Sequence, residues 1–402
     1  MLDNREFWAL SIASTFRSVG MGATYPYISI YFSDVEHVPV YVIGIIFSLM
    51  AVVSLVMSIV GGAIGDMFGR RSAIVIGSIV GIACYTLLAF FSSGGTYVLA
   101  IMITFIASQV AGGLIFPASS ALVADVTSTS GRRHAYSVYR IAINIGWSIG
   151  PIIGGIIYPL GIWILFLIIA VTSLIQLILS TAFIGEHVSA SPQGSRIRAR
   201  DFIVRDRGLF LFGFGTLLLM MVSSQFLVTF PLFSHEALGI NTYQLGIIYA
   251  VNGLVVVVGQ APLTKLFSGR SDLFLMGLGA AFYSIGYLLV GYSTGFLDLV
   301  FDMIIITVGE DLVSPALNTV VSRIAPKDKL ARYMGFSSMM NQIARSISPS
   351  VGSYFLAIYS FNGPRTWISI STFGLFAVMV LYYFARTDPR IRGENSNANN
   401  PQ

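Results

Sequence analysis

Five ionisable residues lie deep inside otherwise apolar runs. Arg17 sits in the middle of "STFRSVGMGATYPY", Asp302, Glu310 and Asp311 fall in "DLVFDMIIITVGEDLVSP", and Arg345 falls in "NQIARSISPS". An ionised side chain at the centre of a bilayer costs about 2.5 to 3.5 kcal/mol on insertion scales, so such groups must face protein or water and find partners. Carboxylates in that setting suit proton binding. Burial favours the neutral form and a nearby arginine the charged one, so the proton's occupancy follows conformation. The structural alternative is a static ion pair that orders helix packing. Tyr25, Gln109, Asn144, Gln225, Asn252 and Gln342 in the same kind of run offer groups that can orient a ligand or join helix to helix. Chemistry of the bond-breaking kind is not indicated. There is no Ser/His/Asp arrangement and no metal-ligand spacing, and "GGAIG" lacks the Lys-Ser/Thr of a phosphate loop. An enzyme, a metal, a cofactor and a nucleic-acid partner are therefore not expected.

The elements that carry these residues are membrane helices. Of 402 residues, 55% are hydrophobic and 10% charged, against about 25% charged in soluble domains, and the mean hydropathy is +0.80. A bilayer crossing needs about 20 apolar residues. Runs of that length fall near 7 to 33, 41 to 65, 72 to 92, 97 to 125, 136 to 160 and 162 to 184, then near 208 to 233, 243 to 267, 271 to 293, 296 to 323, 332 to 359 and 365 to 385. The first run is long and carries Arg17, so it reads as a retained span, not a cleaved signal. The expected fold is an all-α polytopic membrane protein with twelve spans. A six-helix unit occupies 1–185, a polar, Arg-rich linker 186–207, a second six-helix unit 208–385, and a disordered tail 386–402. Basic residues mark the cytoplasmic loops. Arg70 and Arg71, Arg132 and Arg133, Arg196 to Arg207, Lys265 and Arg270, Arg323 to Arg332, and Arg386 to Arg392 fall in alternate loops or the tail, which places both termini in the cytoplasm. Cys84, the single cysteine, excludes a disulfide framework.

The two halves repeat. Pro117 of "FPASSALVAD" answers Pro315 of "SPALNTVVSR", and Pro151 of "IGPIIGG" answers Pro349 of "ISPSVGS", each 198 residues later. Asn144 and Gln342 share that offset. The units therefore run parallel, the pattern expected when two bundles rock about a central binding site. Within "NIGWSIGPIIGG", Gly146, Gly150 and Gly154 stand four apart beside Pro151 and Gly155. Glycines so spaced leave a flat groove where another backbone can approach, and the proline removes a main-chain donor. The stretch reads as a hinge or sliding contact between the two bundles.

"GGAIGDMFGRR", with Gly62, Asp66, Gly69, Arg70 and Arg71, resembles the signature loop of the major facilitator superfamily, and "GWSIGPIIGG" resembles the fifth-helix motif of its proton-coupled exporters, especially the twelve-span drug:proton antiporters. "QAPLTKL", "GEDLVSP" and "ARYMGFS" extend the similarity across residues 7 to 385. The resemblance implies two parallel six-helix bundles with the first, fourth, seventh and tenth helices around the cavity, so that Arg17 and Glu310 become the leading pair. It also implies a cytoplasmic latch in which Asp66 accepts from amides opening the eleventh helix, with Arg70 within reach of Asp125. Two positions depart from the pattern. Met67 stands where a second arginine is usual, and Phe105 stands where exporters of this group often carry a fourth-span arginine.

These readings converge on a secondary transporter working by alternating access. The expectation is proton-coupled export of small amphipathic compounds by a monomeric, multi-pass protein of a prokaryotic plasma membrane, whose partners are a small-molecule substrate, protons and the bilayer. A facilitator or symporter of a sugar, organic anion or lysolipid is the nearer alternative, and a non-transporting sensor or assembly factor the remoter one.

Overall fold

In the computed structural model, residues 4–95, 97–128, 131–188, 206–326 and 329–391 are described, and among them there is no strand. Most of the Arg-rich linker and the tail from 392 onward lie outside these residues, as does the Arg133 side chain. The helices are α1 (Arg5–Asp34), α2 (Val40–Phe68), α3 (Arg70–Gly94), α4 (Val98–Ala107), α5 (Gln109–Asp125), α6 (Arg132–Ile157) and α7 (Ile162–Phe183), followed by α8 (Arg207–Ser223), α9 (Thr229–Glu236), α10 (Thr242–Leu266), α11 (Asp272–Val290), α12 (Phe296–Ile324), α13 (Leu330–Ile358) and α14 (Gly363–Thr387).

Local chemistry explains where the helices start and break. Side chains of Asn4, Asp206, Ser271 and Asn362 accept from the first free amides of α1, α8, α11 and α14, satisfying donors that have no partner inside the helix. Gly69, at φ +99°, makes the turn between α2 and α3 in a conformation that side-chain-bearing residues resist. The fourth span is two helices, α4 and α5, parted at Ser108, whose hydroxyl donates to Phe105 O at 2.7 Å and so competes with the helix ladder. The seventh span is α8, a tight turn over Ser224–Leu227, and α9.

Among the described residues, nine helices are long and apolar enough to cross a membrane, counting α4 and α5 as one. Three more, α1, α12 and α13, have the length, with 30, 29 and 29 residues. These three carry Arg17, then Asp302, Glu310 and Asp311, then Arg345. The helices that fall short of the hydropathy expected of a span are thus those bearing charge at depth, and the whole set is consistent with twelve spans.

Two compact units emerge from the packing: Met1–Gly194 with Ile240–Gly253, and Ser195–Gly239 with Leu254–Gln402. In the first, α1 lies against α6 and α7, and α3 against α5 and α7. A buried core of Phe7, Leu10, Ile74, Leu122 and Ile184 fills one end. In the second, α11 lies against α12 and α14, and α8 against α13 and α14. Lipid tails are as apolar as leucine, so close backbone packing rather than water exclusion must hold such helices together. Small residues duly mark the crossings. A Cβ at Gly279 of α11 would lie 2.7 Å from Gly309 O of α12, and at the repeat-equivalent crossing a Cβ at Gly81 of α3 would lie 3.4 Å from Ala111 Cβ of α5.

Candidate functional site

Arg17 is half-buried on α1, with Nη2 only 3.4 Å from the point where a side chain at Gly112 of α5 would begin. Gly112 leaves the room that the guanidinium takes. Tyr85 of α3 and Tyr139 of α6 lie within its electrostatic reach. Tyr25, one face further along α1, shares a 3.3 Å hydrogen bond with the Tyr85 hydroxyl and accepts from Gln109 Nε2 at 2.7 Å. Phe105 packs against Tyr25, ring centroids 6.0 Å apart. First, third and fourth spans thus meet around one cation and a chain of hydroxyl and amide groups. Tyr85 and Tyr139 carried no sequence signal of their own, since a tyrosine in an apolar run has no distinguishing spacing.

The second unit gathers anions instead. Glu310 on α12 lies within electrostatic reach of Tyr283 and Tyr287 of α11, and Arg345 of α13 acts on the same Tyr283. Ser223, the last residue of α8, donates to Tyr283 OH at 3.1 Å. The adjacent Asp311 is buried and points elsewhere. A Cβ at Gly259 of α10 would be 3.3 Å from its Oδ2. Asp302, just over two turns before Glu310, is also buried and accepts from Ser293 Oγ. Arg345 itself is exposed.

One relationship recurs in both units. Tyr25 meets Tyr85, and Ser223 meets Tyr283, each pair sixty residues apart and each joining first span to third. The second pair lies 198 residues after the first, the offset of the paired prolines. Gly112 and Glu310 share that offset too. Where the first unit leaves space for an arginine reaching in from α1, the second places a carboxylate.

The polar residues expected to meet a ligand fall into two groups. Asn144, Asn252 and Gln342 are half-buried on α6, α10 and α13. Gln225 is spent inside the second unit. Only 1% exposed, it donates through Nε2 to Ser348 Oγ at 2.8 Å and Met221 O at 2.9 Å, and it accepts from Thr229. This network staples the broken seventh span to α13, so Gln225 serves helix packing and not the solvent side of its helix.

At the basic end of the first unit, Arg70 Nη1 lies 2.6 Å from Asp66 Oδ1 and Arg70 Nε 3.3 Å from Asp125 Oδ2. Arg71 Nη2 donates to Thr181 O at 2.8 Å. Gly62 has open space around it, whereas a Cβ at Gly69 would strike the Glu186 carboxylate. Glu186 in turn accepts from Ser72 N and Oγ. The second unit joins the same pair of helices with reversed charges, Asp272 of α11 to Arg323 of α12 at 3.0 Å.

The glycine motif divides between two faces. Cβ atoms at Gly146, Gly150 and Gly154 would each meet α1 backbone, at Thr15 O, Val19 O and Ala23 O, at 2.7, 2.6 and 1.9 Å. The four-residue stripe therefore closes α6 onto α1 within its own bundle, which corrects its reading as a contact between bundles. Spacing identifies a face but not the neighbour that covers it. A second face of α6, about 100° round from the stripe, meets the first half of α10. Thr242 Oγ1 donates to Gly155 O at 3.1 Å, and a Cβ at Gly246 would lie 2.6 Å from Pro151 O. Tyr27 OH donates to that same proline carbonyl.

The family model that matches this chain is that of the Major Facilitator Superfamily, over residues 10–349 and 299–401. The chain belongs to the major facilitator superfamily. It is 24% identical to the uncharacterized MFS-type transporter YttB of Bacillus subtilis (strain 168), over 88% of this chain and 89% of that one. It is 22% identical to a Na(+), Li(+), K(+)/H(+) antiporter of Planococcus maritimus, over 96% and 97%. With multidrug resistance protein 2 of Bacillus subtilis (strain 168) it shares 26% identity over 80% and 81%. The crystal structure of the nucleoside transporter NupG matches with a TM-score of 0.80 at 15% identity, covering 95% of this chain and 99% of that one, which shows the fold. The protein is thus a multi-pass membrane transporter of this superfamily.

Proposed function

We propose that the protein is a proton-coupled secondary transporter that exports small amphipathic compounds by alternating access, without enzymatic activity, from the plasma membrane and with both termini in the cytoplasm. The observation that carries this reading is Glu310, a carboxylate at membrane depth in α12, set among Tyr283 and Tyr287 with Arg345 acting on the same tyrosine. A gradient can do work only through a group whose proton occupancy differs between inward- and outward-facing states. Glu310 and Arg345 both act on Tyr283, an arrangement that supports a proton occupancy following conformation. The similarity to a multidrug resistance protein supports an amphipathic cargo. Arg17 in the first unit and Arg345 in the second are the proposed partners in charge coupling, with Asp311 and Asp302 as further proton sites. Tyr25, Gln109, Asn144, Asn252 and Gln342 are the proposed ligand-orienting groups. Asp66, Arg70, Arg71 and Asp125 form the proposed latch.

The test is transport in proteoliposomes, with ethidium as a probe cation and with or without an imposed pH gradient. Glu310→Gln should still exchange ethidium between equal pools but lose gradient-driven accumulation. Full coupling in Glu310→Gln, Asp311→Asn and the double variant would remove Glu310 and Asp311 from the proton path. A second reading, exchange of monovalent cations for protons, is favoured by the similarity to the Planococcus antiporter. Proton release on adding sodium or potassium, in place of ethidium, would support it.

A further inference from the structure

Tyr283 of α11 is buried and hydrogen-bonded at its tip. Its ring lies parallel to that of Tyr287, centroids 6.5 Å apart and planes within 8°, and Tyr287 is stacked in turn on Trp367 at 5.2 Å and 6°. The buried Tyr283 ring thus ends a row of three parallel aromatic rings. At its tip, Ser223 Oγ donates to the phenol oxygen. A tyrosine hydroxyl both accepts and donates, so this bond leaves its own hydrogen available to a further acceptor. The crossing of α11 over α12 brings an anion within electrostatic reach of the phenol. Gly309 lets α12 approach until a Cβ there would lie 3.1 Å from Tyr283 N, and the next residue is Glu310.

We propose that Tyr283 is the positioning residue of Glu310, its hydroxyl oriented by Ser223 to donate to the ionised carboxylate. The inference rests on the reading of Glu310 as the coupling group. Protonation of Glu310 turns a strong acceptor into a weak one and releases the phenol, so the state of the proton is passed to the contact between α8 and α11. The first unit carries the same device with the charge inverted. Tyr85 takes the place of Tyr283, Tyr25 that of Ser223, and the charge within electrostatic reach is Arg17 above Gly112. A tyrosine can serve at both positions because its hydroxyl can donate to an anion or accept from a cation. The charged and titratable groups near Glu310 include Tyr283 and Tyr287 from α11, Asp311 on α12 itself, and Arg345 from α13, which acts on the same Tyr283.

The test is the infrared band of protonated carboxyl groups, titrated on the full-length protein in lipid, which needs no substrate. The part of the band lost in Glu310→Gln belongs to Glu310. Hydrogen bonding to the charged form favours ionisation, so Tyr283→Phe should move the Glu310 midpoint to higher pH by about one unit. Ser223→Ala should move it in the same direction by less, and Tyr287→Phe should move it less than Tyr283→Phe. A midpoint unchanged in Tyr283→Phe, or moved equally by Tyr287→Phe, overturns the inference while leaving the coupling reading intact. Should Tyr283→Phe not fold, Ser223→Ala decides, and an unmoved midpoint overturns it. If Glu310→Gln removes no titrating band, both readings fall together.

Discussion

A methyl group at Gly352 of α13 would fall 2.0 Å from both Gln225 Oε1 and Thr229 Oγ1. The glycine is the floor on which the hydrogen-bonded pair of the broken seventh span rests. Gly352→Ala should force α13 and that span apart, and overpacking of a tight contact typically costs about 1 to 3 kcal/mol. Thermal unfolding in detergent should show a clearly lowered midpoint. Gly277→Ala on α11, where an added methyl meets nothing within 4 Å, is the control and should be neutral or slightly stabilising because alanine favours the helix. Equal midpoints for Gly352→Ala and the unaltered protein would contradict the network.

The glycine stripe of α6 gives a second expectation. Because Gly150 meets Val19 O, Ala23 N and Gly22 C of α1 within one bundle, Gly150→Leu should lower the yield of folded, monodisperse protein, and with it transport. A variant affecting a sliding contact alone would fold normally and fail only in transport. Size-exclusion profiles of fluorescently tagged protein separate the two, and a normal profile for Gly150→Leu would return the stripe to a role in motion.

A third expectation concerns pH. Burial pushes the Asp206 carboxyl up, but hydrogen bonds from Arg390, Tyr333 and the Leu209 amide, together with the Arg390 charge, more than offset this and hold it at about 2. Arg390 Nη1 lies 2.7 Å from Asp206 Oδ2, and Asp388 grips the same guanidinium from the other side. A carboxyl whose folded value is depressed adds stability that is present above its unfolded value, about 3.9, and lost as pH falls through the folded one. Asp206→Asn should therefore melt lower than the unaltered protein by a constant margin between pH 8 and 5. That margin should shrink below about pH 4 and close as pH approaches 2. A margin that varies with pH between 8 and 5 would show another group at work.

Much of the fold is legible in the sequence because membrane helices advertise themselves by apolar length, and the repeat by prolines such as Pro117 and Pro315 at a fixed offset. The charged residues are legible for the same reason, since Arg17 and Glu310 interrupt long apolar runs. What stays hidden is which neighbour each face meets. Gly146, Gly150 and Gly154 define a flat stripe, yet nothing in their spacing chooses α1 over another helix. Gln225 looks identical in sequence whether it faces a ligand or Ser348. Tyr85 and Tyr283 share the offset of 198 with the prolines, but only their hydrogen bonds to Tyr25 and Ser223 separate them from the other tyrosines of the chain.

The paired fastenings Arg70 to Asp125 and Asp272 to Arg323 differ in how they lie along their helices' own fields. A helix is partly positive at its start and partly negative at its end, worth about 0.3 to 1 kcal/mol to a well-placed charge near the surface. In the second unit Asp272 opens α11 and Arg323 lies in the last turn of α12, so both charges are favoured. In the first unit Arg70 opens α3 while Asp125 ends α5 and Asp66 lies in the last turn of α2, so all three oppose the helix fields and are held by one another. Neutralising Arg70 leaves two carboxylates at negative helix ends, whereas neutralising Arg323 leaves Asp272 where its helix already welcomes it. Of the two fastenings in the duplicated fold, one thus holds by mutual need and the other with help from its helices' own fields.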